Sequence, residues 1–183
     1  MAVITHCSEQ VAQVVAYEIA AFDRLSGRLR LPCKESGSFV PEEIKLVGTG
    51  HSDEDKWELS TEIESLLLHT RVLRDFFYYF WDFRRRQYKA NRKKSHNDDV
   101  VAQDFISDWD QHCPPIGQYL TDHKERLDKS LTHLSTLRVH FKQTEKRWNV
   151  DAIGDELRPV IDQFRENLST DIADWFVLMP AKE

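Results

Sequence analysis

Residues 61–75, TEIESLLLHTRVLRD, hold no glycine and no proline. Their apolar side chains recur at three- and four-residue steps, the period of an amphipathic helix. Ser60 and Thr61 stand ahead of Glu62 and Glu64 and read as a cap region. Leu59, Ile63, Leu66, Leu67, Leu73, Phe77 and Phe80 mark one face, and Val72, Phe76, Tyr79 and Phe83 mark a second beside it. The chain continues as FFYYFWDF over 76–83, which carries seven of its 20 Phe, Trp and Tyr residues. An apolar run of that kind is also compatible with a strand. Its continuity with the helical run upstream predicts a helix through 83. A helix that is aromatic nearly all round has to be covered on more than one side. Either it is the central helix of a bundle, or one side meets a second subunit.

Outward from this element the same period returns. Val11, Val14, Val15, Ile19, Phe22 and Leu25 predict a helix over 8–29, stopped by Gly27 and Pro32. Residues 30–56 gather Pro32, Gly37, Pro41, Gly48 and Gly50 and predict a long irregular insertion. Asn97, Asp98 and Asp99 look like the cap of a short helix over 98–107. Leu120, Leu127, Leu131, Leu134, Leu137 and Phe141 predict a long helix over 116–143. Ile153, Leu157, Ile161, Phe164 and Leu168 predict another over 151–169, with Gly154 and Pro159 implying a late start or a kink. The apolar tail after 169 is expected to pack back on the body. The expected fold is an all-α, up-and-down bundle of four to five main helices in one domain, 1–183.

Composition agrees. The chain has 183 residues, 40% hydrophobic and 31% charged, which is too apolar for a wholly disordered polymer. Six Gly and six Pro are too few for a β-sandwich with a turn every ~8–12 residues. A net charge of -6 argues against a generic polyanion binder. Three cysteines outside any CxxC imply no disulfide framework. The first ten residues, MAVITHCSEQ, lack the basic n-region of a signal peptide. No apolar stretch reaches the ~18 residues of a membrane span, so a cytoplasmic location is expected. No HExxH, Gly-rich phosphate loop or GxSxG elbow occurs, and neither metal nor cofactor is expected.

Two clusters carry chemistry. RRRQYKANRKK over 84–94 places Arg84, Arg85, Arg86, Lys89, Arg92, Lys93 and Lys94 in eleven residues without an acid. It is either a solvated helix end or a local patch for RNA phosphates. On the predicted 116–143 helix, Arg126, His133 and His140 are spaced by seven, nearly two turns, and so share one stripe at the edge of the apolar face. An arginine holds a phosphate with two hydrogen bonds. A histidine moves a proton near neutral pH. Together they suit phosphodiester cleavage. The plainer reading is a structural Arg–acid pair beside a bundle-edge histidine. His69, amid Leu66, Leu68 and Val72, reads as a core-edge histidine rather than a ligand. A His69, His123, His133 metal site has no supporting motif.

The segment from Arg126 to His133, RLDKSLTH, resembles the Arg-x4–6-His motif of the HEPN superfamily, small helical bundles, usually dimeric, many of them metal-independent RNases of toxin–antitoxin and antiviral systems. A long early helix followed by a motif-bearing one is also similar. The resemblance implies roles for Arg126 and His133 at a dimer cleft, with Asp128 as an orienting residue. It implies a homodimer, an RNA substrate and a protein partner such as an antitoxin. The chain departs from many active members in carrying Leu127 directly after Arg126. The alternative is a non-catalytic helical-bundle dimer acting as a protein-interaction module.

Overall fold

The computed structural model describes residues 8–29, 53–78, 80–82, 87–89, 99–132 and 148–177. Helix α1, Glu9–Arg28, starts where the Ser8 hydroxyl accepts the Val11 N–H at 3.3 Å. It buries Ala12, Val15, Ala16, Ile19 and Phe22, a three- and four-residue stripe. The expected inward stripe is corrected at Val14, which is 61% exposed while Ala12 and Ala16 face the core. Both sets fit a helical period, and packing picked the alanines because they allow a close approach.

Helix α2, Asp53–Phe77, begins inside the span expected to be irregular; the insertion's remaining residues, 30–52, lie outside the described residues. Glu18 pairs with His69 and Arg28 with Glu62, so α1 and α2 run antiparallel. The helix also ends sooner than expected. Phe80–Asp82 forms strand β1, paired antiparallel with β2, Gln87–Lys89, in the register Phe80↔Lys89, Trp81↔Tyr88, Asp82↔Gln87. Aromatic residues favour strands as much as helices. The break is secured at Phe77, whose carbonyl accepts the Trp109 indole N–H at 3.1 Å, and at Tyr78, whose hydroxyl donates to the Pro114 carbonyl at 2.7 Å.

The helix expected over 98–107 is a single 3-10 turn, Ala102–Asp104, because the Asp104 carboxylate accepts the Val101 N–H and closes the turn. Helix α3, Trp109–His112, follows and buries Trp109. The long helix expected over 116–143 is two elements as far as it is described: α4, Gln118–Asp122, and α5, Lys124–Thr132. His123, at φ -97° and ψ 10°, interrupts them. Glu156 accepts the Tyr119 and Leu120 N–H groups at 2.7 and 2.8 Å and so caps α4. Gly117 is needed there, since a Cβ would collide with the Glu156 side chain.

Helix α6, Val150–Asn167, starts on Asn149, whose side chain accepts the Ala152 N–H, and carries Pro159 inside it. It does not start late. Burial of Ile153, Leu157, Val160, Ile161 and Phe164 on either side of Pro159 outweighs the one lost hydrogen bond. Pairs Asp23–Arg165 and Ser26–Arg158 set α6 antiparallel to α1. A short α7, Thr170–Ala173, and a 3-10 turn, Asp174–Phe176, return the chain to α1, where Gln13 donates to the Trp175 and Val177 carbonyls. The result is an all-α bundle with one three-residue hairpin, and no helix among the described residues is long and apolar enough to cross a membrane.

Candidate functional site

Among the described residues, three side chains hold helix α5 to the bundle. Leu127 is buried in the core. Asp128 faces α2, where it accepts a 2.6 Å hydrogen bond from Nη2 of Arg74 and a second bond from Lys124, with Arg71 Nε 3.7 Å away. Arg74 is only 2% exposed and also donates twice to Asp75, at 2.9 and 2.7 Å. Burial pushes the Asp128 carboxyl up, but the Arg74 charge and the hydrogen bonds from Lys124 and Arg74 outweigh it and hold it below the usual carboxylate range. The third is Arg126, whose guanidinium carbon lies 3.8 Å from the centroid of a Trp148 ring. That is a close cation–π stack, which fixes the guanidinium plane.

Trp148 belongs to a small aromatic assembly. Tyr119 and His123 stack at 4.1 Å and 24°, and His123 lies 6.0 Å from Trp148. The Tyr119 hydroxyl accepts the Asn149 N–H at 2.8 Å. His123 Nδ1 is 2.9 Å from the Tyr119 carbonyl oxygen. Arg126 and His123 are both half-buried, while Trp148 is 4% exposed.

Of the expected site residues, the structure brings Arg126 and Asp128 onto one short helix, with Asp128 turned to Arg74 and Lys124. His133, Arg84, Arg85, Arg86, Arg92, Lys93 and Lys94 lie outside the described residues, and Lys89 is in β2. Among the described residues no three His, Cys, Asp or Glu side chains are grouped to hold a metal. His69 is 8% exposed and bonded to Glu18 at 2.7 Å, with Tyr17 edge-on to its ring. Burial pushes the Cys113 thiol up to about 12, although the Tyr78 hydrogen bond lowers it, which disfavours the thiolate.

The sequence reading missed Trp148 and Tyr119, and it weighed His123 only as a metal ligand. The four-residue spacing of Tyr119 and His123 is a signal for their stack. Nothing local joins Trp148 to Arg126, 22 residues earlier.

Between α1 and α2 lies a groove of about 400 Å³, lined by Val14, Leu68, Val72, Glu18, Arg71 and Asp75. Val14, Leu68 and Val72 are 61, 47 and 39% exposed, and Tyr17, three residues after Val14 on α1, is 57% exposed.

No protein-family model, no curated protein and no solved structure matches this chain. The functional reading therefore stands on the geometry and the motif.

Proposed function

We propose that this chain is a HEPN-like helical-bundle protein that binds RNA and cleaves it without metal, with Arg126 on the phosphate and His133 in proton transfer. The observation that carries the reading is the Arg126–Trp148 stack. A guanidinium recognises a phosphodiester through in-plane N–H groups, and a ring against its face holds that plane in one orientation. Helix α5 is described to Thr132, and His133 is the next residue in the sequence, seven positions after Arg126. Asp128 supports the site from behind, by tying α5 to α2, and does not touch substrate. The basic residues Arg84, Arg85, Arg86, Lys89, Arg92, Lys93 and Lys94 supply sequence-independent attraction for RNA.

Purified protein is expected to cut structured or single-stranded RNA in EDTA. His133→Ala and Arg126→Ala should each lower the rate ~10²-fold or more, the loss expected for an acid–base group or a preorganised charge. Neutralising the basic run should weaken binding and flatten its salt dependence by about one charge per contact removed. No cleavage above the His133→Ala control across several RNAs would leave the interaction-module reading in its place.

That second reading has an observation of its own, the exposed apolar lining of the α1–α2 groove at Val14, Leu68 and Val72. We assign it to a second copy of the chain, paired about a two-fold axis. Light scattering at micromolar concentration should give a dimer for the wild type and a monomer for Leu68→Glu, which puts a charge into a desolvated contact. A wild-type monomer would remove the assignment.

A further inference from the structure

We infer that His123 is a second proton-transfer residue beside Arg126; this deepens the RNA-cleavage reading and rests on it. Attack of a ribose 2′-oxygen on phosphorus forms the 2′-O–P bond and breaks the P–O5′ bond. The 2′-OH proton has to be taken up and the departing 5′-oxygen has to receive one, giving a 2′,3′-cyclic phosphate and a 5′-hydroxyl. Arg126 stays protonated throughout. A single histidine, His133, therefore leaves half of the proton traffic without a carrier.

His123 has the placement for it. Although α4 and α5 are separate elements, the Leu127 N–H donates to the His123 carbonyl at 2.8 Å, so helical geometry runs from His123 into α5. His123 and Arg126 are then three residues apart on one helical surface, where side chains are neighbours. Both reach the same indole: the guanidinium at 3.8 Å and the imidazole centroid at 6.0 Å. The tautomer is fixed as well. A carbonyl oxygen only accepts, so Nδ1, 2.9 Å from Tyr119 O, carries the hydrogen of that bond. Nε2 is left as the nitrogen that exchanges a proton, and it makes no hydrogen bond among the described residues. The Tyr119 stack holds the ring, and Tyr119 is itself anchored by Asn149 and Glu156. A group held on one nitrogen, with no hydrogen bond among the described residues on the other, is what acid–base catalysis asks for.

The test compares His123→Gln, His133→Ala and wild type on two substrates. One is ordinary RNA. The other has sulfur in place of the bridging 5′-oxygen, a leaving group that departs without a proton. On ordinary RNA His123→Gln should cut ~10²-fold more slowly than wild type. Its affinity for a 2′-O-methyl RNA, which cannot be cut, and its melting temperature should stay near wild type. On the sulfur substrate only one of the two histidine variants should recover. If His123→Gln cuts ordinary RNA like the wild type, the inference falls and the Arg126–His133 reading stands; that is also the result expected if a second copy supplied the other proton carrier. Loss of melting temperature together with 2′-O-methyl RNA binding would mark His123 as a structural part of the Tyr119 stack and overturn the inference. Recovery of both variants, or of neither, on the sulfur substrate would also overturn it. Absence of cleavage by the wild type removes both readings at once.

Discussion

Phe164→Ala is expected to lower the unfolding free energy by about 3–5 kcal/mol. Phe164 is fully buried, and five aromatic rings surround it: Phe76, Phe77, Phe105, Trp109 and Phe176, with centroids 5.3, 5.5, 6.3, 5.7 and 5.4 Å away. All five contacts are edge-to-face, so the loss includes specific ring geometry besides buried area. The five rings come from α2, the 3-10 segment, α3 and the tail. No single element can move to fill the space, and rigid rings collapse poorly into a hole. Urea unfolding at constant slope should show the loss, with a fall in melting temperature on the order of 10 °C. A loss under about 1.5 kcal/mol would mean that the tail and the 3-10 segment relax into the site, contrary to the packing described.

The second large effect is expected at Asp128. Asp128→Ala should cost roughly 3 kcal/mol at pH 7, because it takes one carboxylate from the buried Arg74 guanidinium and sets Arg71, Arg74 and Lys124 around a vacated position. Asp75 is 45% exposed and compensates only in part. The sign of the pH dependence follows from the direction of the shift. The folded carboxyl titrates below its unfolded value of 3.8, so its contribution is complete above that value and is lost as pH falls through the folded value. Asp128→Asn, which keeps the shape and removes the charge, should therefore be clearly less stable than wild type at pH 7 and nearly equal to it at the acid end. Urea midpoints of both proteins, followed from pH 7 downward through the acid range, check this by a gap that closes only well below 3.8. A gap that stays constant with pH would show that shape, not charge, ties α5 to α2.

The two variants bear differently on the proposed site. Phe164 lies among the other helices, so its loss should reduce activity only through the folded fraction. Asp128 sits on α5 itself, and its loss should loosen Arg126 as well. Measured below the unfolding transition, RNA cleavage per folded molecule should fall for Asp128→Ala and hold for Phe164→Ala.

Periodicity by itself determined the helical class, because a three- and four-residue apolar stripe depends only on local geometry. It located α1 almost to the residue and α6 with it, and it put Arg126 at the edge of an apolar stripe. Four things needed the tertiary structure. The run 76–83 is equally apolar to a helix and to a strand; the choice at Phe77 was made by Trp109, 32 residues on, taking the carbonyl that another helical turn would have used. The break at His123 carries no glycine or proline to announce it, and the start of α4 is fixed by Glu156 on α6, 36 residues beyond Leu120. Val14 and Val72 fit an inward stripe on paper, and only packing of α1 against α2 turned them outward. Asp128 and Arg126 look alike in the sequence, as charges two residues apart, yet one answers a buried arginine on α2 and the other stacks on an indole 22 residues away. Backbone period is a local property and can be read along the chain. The partner of a charge or a ring is set by where distant segments meet, and no spacing within one helix encodes that.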